Sequence, residues 1–129
     1  MLYLHRIIHL IHTAVGYEAG KAITTGIRNT LIGGLAGDNL TTGDFNTAVG
    51  FYALSTEDGN GTNTAIGYQT LRDQDAGADA YNTAIGHDAG KLITTGLSNT
   101  LIGGQSGDAL TTGSENVAIG RQALTNEDT

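Results

Sequence analysis

Histidine and aspartate are the residues of this chain best suited to hold a metal ion. His5, His9 and His12 are spaced so that they could share one helix face, or form rings if three chains associated. Their segment is otherwise apolar and offers no partners to orient the imidazoles, so we predict no metal site there. The aspartates fall in turns, where carboxylates cap main-chain amides, and lack the Gly-Gly-x-Gly-x-Asp calcium pattern: Asp38, Asp44, Asp58, Asp73, Asp75, Asp88 and Asp108.

His87 is the one histidine within the later repeats that could act as a general base. The segment Ile66-Gly67-Tyr68-Gln69-Thr70-Leu71 resembles the hexapeptide repeat of β-helical acyltransferases, which stack three hexapeptides in each coil. Here each repeat unit contains a single hexapeptide. No paired carboxylates, nucleophile elbow or phosphate loop accompanies it. We therefore predict no enzyme, no cofactor and an exposed turn position for His87, with an acyl-transferring β-helix as the alternative.

A repeat positions the aspartates, His12 and His87. Residues 19–34 return almost unchanged as residues 89–104, and a shorter unit that opens Asn-Thr-Ala/Leu-Val/Ile-Gly recurs at a constant interval, with one longer step after Asn63. The first position of this unit holds His12, Asn29, Asn46, Asn63, Asn82, Asn99 and Asn116. A short period of this kind indicates stacked coils. We expect the asparagines to form a ladder of side-chain amides along the stack.

The fourth position of each unit is β-branched and is always followed by glycine: Val15, Ile32, Val49, Ile66, Ile85, Ile102 and Ile119. A β-branched residue before glycine indicates a strand that ends in a bend. Positions two and four share one strand face and position three points the other way, and both faces are small or apolar. We therefore expect one face to pack inside its own coil and the other to be covered by another surface.

About two short strands and two turns per unit predict an all-β solenoid of about seven 17-residue coils, stacked about 4.8 Å apart. One bulky aliphatic residue per coil alternates between two positions. In most coils it is Ile23, Leu40, Ile93 or Leu110, and in the others it is Leu54, Leu71 or Leu124. This exchange preserves side-chain volume, as a shared core requires.

Composition excludes several functional classes. The 129 residues carry a formal charge of −7, which repels nucleic-acid phosphates and anionic lipids, so we predict no nucleic-acid partner and no membrane contact. Residues 1–11 are apolar but too short to span a bilayer, and they lack a signal-peptide cleavage site. We predict an apolar end segment or cap at 1–11, followed by a repeat domain at 12–129 that is part of a longer fibre.

Asn116-Val117-Ala118-Ile119-Gly120 resembles the Asn-Ser-Val-Ala-Ile-Gly repeat in the heads of trimeric autotransporter adhesins, and the Asn-Thr-Ala-Ile-Gly units resemble repeats of phage tail-fibre-like proteins. The resemblance implies a left-handed parallel β-roll, three chains side by side, and a structural or adhesive role on a cell surface or virion. Each coil orders about 17 residues but buries only two or three aliphatic side chains, which is little apolar burial for the chain entropy lost. A single rod is therefore marginal, which independently favours a homotrimer.

Recognition of a host-surface glycan or matrix protein would use variable turn positions, for which the candidates are Tyr17, Phe51, Tyr52, Tyr68 and Tyr81. The threonine column raises ice binding as a further alternative: Thr13, Thr30, Thr47, Thr64, Thr83 and Thr100. Ice binding needs a flat exposed surface. Because this column shares a face with the Val/Ile column, which we expect to be buried, we predict the threonines to lie inside the coil or at an interface.

Overall fold

A computed structural model describes residues 12–126, which form one parallel β-sheet wound as a solenoid. Each strand pairs with the next in sequence, with threonine opposite threonine and Val/Ile opposite Val/Ile in most pairs. The all-β solenoid is confirmed, with about six turns between the first and last strands where we expected about seven coils. The strands are β1 Thr13–Val15, β2 Thr30–Ile32, β3 Thr47–Val49, β4 Thr64–Ile66, β5 Thr83–Ile85, β6 Thr100–Ile102 and β7 Val117–Ile119.

Each coil within residues 12–126 contains one strand, so the predicted second strand is wrong. Turns replace it, and non-glycine residues at repeated turn positions have left-handed backbone angles, such as Arg28 (φ 57°), Phe45 (φ 58°) and Ser98 (φ 59°). Such residues interrupt an extended run. Successive coils remain hydrogen-bonded through these turns, for example from the Gly37 N–H to the Ala53 carbonyl at 3.0 Å.

The glycine after each of the strands β1 to β6 is required by close approach between coils. Gly103 has a φ of +131°, and a Cβ atom built on it would lie 2.5 Å from the carbonyl oxygen of Gly120. No side chain fits this space, and L-residues rarely adopt this backbone conformation. The glycine therefore ends the strand and lets the next coil stack directly on it.

The core lies between the strand and the opposite turns of each coil. Position three of the strand points inward, and Leu31, Ala48 and Leu101 are fully buried. The predicted exchange of the bulky aliphatic residue is confirmed, because Leu40 occupies one position and Leu54 the other, and both are fully buried. Eight of the fifteen buried apolar residues between 12 and 126 are alanines, so the core of this part of a single chain is thin.

The asparagine column bonds along the stack. The backbone N–H of Asn46 donates to Oδ1 of Asn29 at 2.8 Å, and the same bond recurs in every later coil at 2.8 to 3.1 Å. His12 continues the column, since its Nδ1 accepts from the Asn29 N–H at 3.4 Å. Nδ2 of Asn29 donates to the carbonyl of Gly43 at 2.7 Å. Asn63 opens the longer coil, where the regular spacing is broken, and its buried Nδ2 has no partner.

The predicted end segment or cap at 1–11 and the last three residues lie outside the described residues, as do His5 and His9 of the three-histidine hypothesis. The part of the chain from 12 to 126 has no helix long and apolar enough to cross a membrane.

Candidate functional site

The outer face of the sheet is apolar. We call it the Thr/Ile face, made of the threonine column and the Val/Ile column: Thr13, Thr30, Thr47, Thr64, Thr83, Thr100 and Val117 with Val15, Ile32, Val49, Ile66, Ile85, Ile102 and Ile119. In the central strands the threonines are half-buried and most of the Val/Ile residues are exposed. Ile66, Ile85 and Ile102 are each 36% exposed, and Ile119 at the end of the stack is 67% exposed.

The exposure of the Val/Ile column corrects two expectations. We expected that column to be buried, but in the single chain it lies on the outside, because position three fills the interior. The threonines share the outer face, so the option that they lie inside the coil is wrong. The face carries no charged side chain, and parallel in-register strands make its rows regular. It suits contact with another flat apolar surface or with an ordered water layer.

A stacked aromatic column runs along the turn that follows the glycines. We call Phe51, Tyr68 and His87 the aromatic column, because they occupy the same position in three successive coils. The ring centroids of Phe51 and Tyr68 are 5.9 Å apart, and those of Tyr68 and His87 are 4.9 Å apart, both nearly parallel. Tyr52 packs edge-on against Phe51 at 4.5 Å. Exposed aromatic rings are groups that bind the apolar faces of ligands at interfaces.

The structure brings together three of the five predicted ligand-contact residues. Phe51, Tyr52 and Tyr68 form one cluster. Tyr17 occupies the same position two coils before Phe51 and is 73% exposed, with Gly34 in the coil between them. Tyr81 is 60% exposed and occupies a different position of its repeat, immediately before the asparagine. His87 also belongs to the aromatic column, although we did not predict it as a contact residue. Its position directly after the strand-ending glycine, which it shares with Phe51 and Tyr68, could have identified it from the sequence.

His87 lies on an open surface. Its side chain is 64% exposed, and Nδ1 lies 3.2 Å from a carboxylate oxygen of Asp88. General-base catalysis needs an enclosed and supported site, whereas the ring here stacks on Tyr68 at the edge of the solenoid. The surroundings of His87 therefore match an exposed turn position.

Glu57 is a buried carboxylate that the sequence analysis missed. It occupies the position where Leu40 and Ile93 place aliphatic side chains, and it is fully buried. Burial raises the pKa of the Glu57 carboxyl from 4.5 to about 7, and the Asn60 hydrogen bonds oppose that shift. The sequence shows a polar residue here in the coils whose bulky aliphatic side chain has moved to the other position, and no role was predicted for it. The aliphatic residues at the equivalent positions of other coils, Leu40 and Ile93, could have indicated that the Glu57 side chain faces inward.

Comparisons of this chain with protein-family models, with curated proteins and with solved structures found no match.

Proposed function

We propose that this chain is a structural and adhesive segment of a homotrimeric extracellular fibre, non-catalytic and carried on a cell surface or a virion. The observation that carries the proposal is the exposed Val/Ile column. An unbroken apolar row along a rigid sheet costs free energy when it faces water, and a second surface removes that cost.

The thin core supports the same proposal. Alanine occupies more than half of the buried apolar positions in the described coils, so a coil gains little from its own interior. Each Thr/Ile face that is covered by another copy adds β-branched side chains to the buried area. Three copies around one axis close the association, so that no apolar face is left over. The number three and the left-handed winding come from the resemblance to trimeric adhesin heads.

Coverage of the Thr/Ile face can be tested by thiol labelling, because the native chain has no cysteine. We compare Ile85→Cys on the face with Leu92→Cys, which is 41% exposed and lies outside the strands. The proposal expects maleimide to label Ile85→Cys at least about tenfold more slowly than Leu92→Cys in the native assembly, and equally fast in denaturant. Equal native rates would show that the face is open to solvent.

Adhesion through the aromatic column has its own test. A screen of host-surface glycans and matrix proteins would use the assembled protein, with Phe51→Ala and Tyr68→Ala as test variants and Tyr81→Ala as the matched control. Truncation of a buried anchor typically weakens binding by about tenfold or more. Loss with the first two variants and retention with the third supports the column as the contact. Equal loss with all three rejects it.

Ice binding is the second candidate, and the outward threonine column favours it. Half-buried hydroxyls alternate with exposed isoleucines on a regular face, with rows about 4.8 Å apart. The two candidates use the same face and exclude each other. Thermal hysteresis that disappears with Thr64→Tyr and Thr83→Tyr would support ice binding, whereas no hysteresis together with slow labelling at Ile85→Cys would support the fibre.

A further inference from the structure

Three carboxylates meet where the regular repeat is interrupted. Glu57 and Asp58 are consecutive, and Asp75 holds the position of Asp58 in the next coil. That next coil is the longer one, between Asn63 and Asn82. The stacking of coils therefore brings acidic groups from two different turns of the solenoid to one place.

The three side chains converge closely. One carboxylate oxygen from each residue lies within 4.8 Å of the others. Glu57 is fully buried, while Asp58 and Asp75 are exposed. The ion pairs within residues 12–126 join other carboxylates and none of these three. Three acidic groups thus share one site without a protein cation to balance them.

The buried carboxylate of the cluster has one oxygen without a hydrogen-bond partner. Oε1 of Glu57 accepts from the Asn60 N–H at 3.1 Å, whereas Oε2 is buried and has no partner. A buried polar atom without a partner costs about 1 to 3 kcal/mol, and more when it is charged. An unpartnered buried oxygen on a side chain that meets two further carboxylates indicates a missing electropositive ligand.

The next coil shows how the chain satisfies a polar side chain at this position when no ion is needed. Gln74 is the equivalent of Glu57 and is neutral. Its Nε2 donates to the Thr94 carbonyl at 3.1 Å, and its Oε1 accepts from Nδ2 of Asn82 at 2.7 Å. The equivalent donor for Glu57 is Nδ2 of Asn63, and it is also buried without a partner. The amide bond that satisfies Gln74 therefore has no counterpart at Glu57.

The chemistry of the three ligands selects a hard divalent cation. Carboxylate oxygens alone, with no nitrogen or sulfur, suit calcium or magnesium. Calcium accepts irregular arrangements of six to eight oxygens at about 2.3 to 2.6 Å, whereas magnesium demands a near-ideal octahedron at about 2.0 to 2.1 Å, so an irregular cluster of three carboxylates favours calcium. The exposed side of the site leaves room for water, which completes calcium coordination in many proteins.

We propose that Glu57, Asp58 and Asp75 bind one calcium ion, which links two successive coils where the regular period is broken. Binding neutralises most of the acidic cluster and gives the buried Glu57 oxygen a partner. It fastens the longer coil to its neighbour at the point where the Asn63 amide bond is missing. This inference rests on the cluster alone and does not depend on the proposed function.

Isothermal titration of the chelator-treated full chain with calcium chloride tests this proposal. Few ligands and an open side predict a Kd on the order of 10⁻⁴ to 10⁻³ M. The melting temperature should rise with calcium concentration. Glu57→Gln and Asp75→Asn should each weaken binding by about tenfold or more. Gln74 shows that glutamine is accommodated at this position, and circular dichroism checks the fold of both variants.

Asp108→Asn is the matched control, because it removes one turn carboxylate from a distant coil and should leave calcium binding unchanged. An absence of heat and of any melting shift at about 10-fold the expected Kd would overturn the proposal. An equal loss of binding in Asp108→Asn would also overturn it, since it would show general charge screening. A response to magnesium that matches or exceeds the calcium response would overturn the choice of ion.

Discussion

Asn82→Ala is the substitution that probes the asparagine ladder most sharply. Nδ2 of Asn82 donates to Oε1 of Gln74 and to the carbonyl of Gly96, each at 2.7 Å, and its Oδ1 accepts from the Asn99 N–H at 2.8 Å. The variant leaves these three groups without their partner in the interior. At about 1 to 3 kcal/mol for each buried unsatisfied group, with overlap among them, we expect a loss of about 3 to 6 kcal/mol in the free energy of unfolding. That loss lowers the melting temperature by roughly 10 to 20 °C.

The matched control is Asn116→Ala, at the end of the ladder. Nδ2 of Asn116 bonds to Asn99 Oδ1 at 3.1 Å and to the exposed Ser114 carbonyl at 3.2 Å, and both acceptors stay satisfied or solvated after its removal. We expect a cost below about 1 kcal/mol. Urea denaturation followed by circular dichroism, at equal protein concentration, measures both variants. Equal costs at the two positions would mean that asparagine serves only its local turn and that the ladder reasoning is wrong.

Two further predictions concern the glycine column and the buried carboxyl. Gly103→Ala should destabilise the protein by about 3 kcal/mol or more, because the backbone angle is strained for alanine and its Cβ would lie 2.5 Å from the Gly120 carbonyl oxygen. The adjacent Gly104→Ala has open space around its Cβ and should change stability by less than about 1 kcal/mol in thermal denaturation; similar losses in both would contradict the stacking argument. Burial raises the pKa of Glu57 from 4.5 to about 7, so the folded state keeps a proton that the unfolded state releases between those values. In chelator, stability should therefore fall as pH rises from about 4.5 to about 7, by at most about 3 kcal/mol, and Glu57→Gln should remove that part of the pH dependence. A difference between Glu57→Gln and the parent that is constant with pH would contradict this origin.

The repeat made the solenoid predictable. Glycine after every Val/Ile marked the strand end, and its spacing set the register of the coils, which the structure confirms from β1 to β7. The exchange between Leu40 and Leu54 was also visible, because the chain keeps one bulky aliphatic side chain per coil. These features follow from local backbone geometry and from side-chain volume, and the residue types at the repeated positions show both.

Other features depend on neighbours that the repeat pattern does not specify. Both strand faces are apolar, so alternation alone did not show that Leu101 lies inside and Ile102 outside. The prediction of a second strand in each coil was wrong, because residues with left-handed backbone angles, such as Ser98, interrupt the extended run. The acidic cluster was missed because Asp75 and Glu57 lie in different repeat units and approach each other only after the coils stack.

Sedimentation equilibrium of the native chain gives the most direct test of the central claim, that the Thr/Ile face is covered by other copies of the protein. We predict a mass of about 40 kDa, three times the 13.3 kDa of one chain, and a lower mass for the double variant Ile66→Lys and Ile85→Lys. Leu92→Lys, outside the face, should keep the mass of three chains. A native mass of one chain at all concentrations would contradict the account.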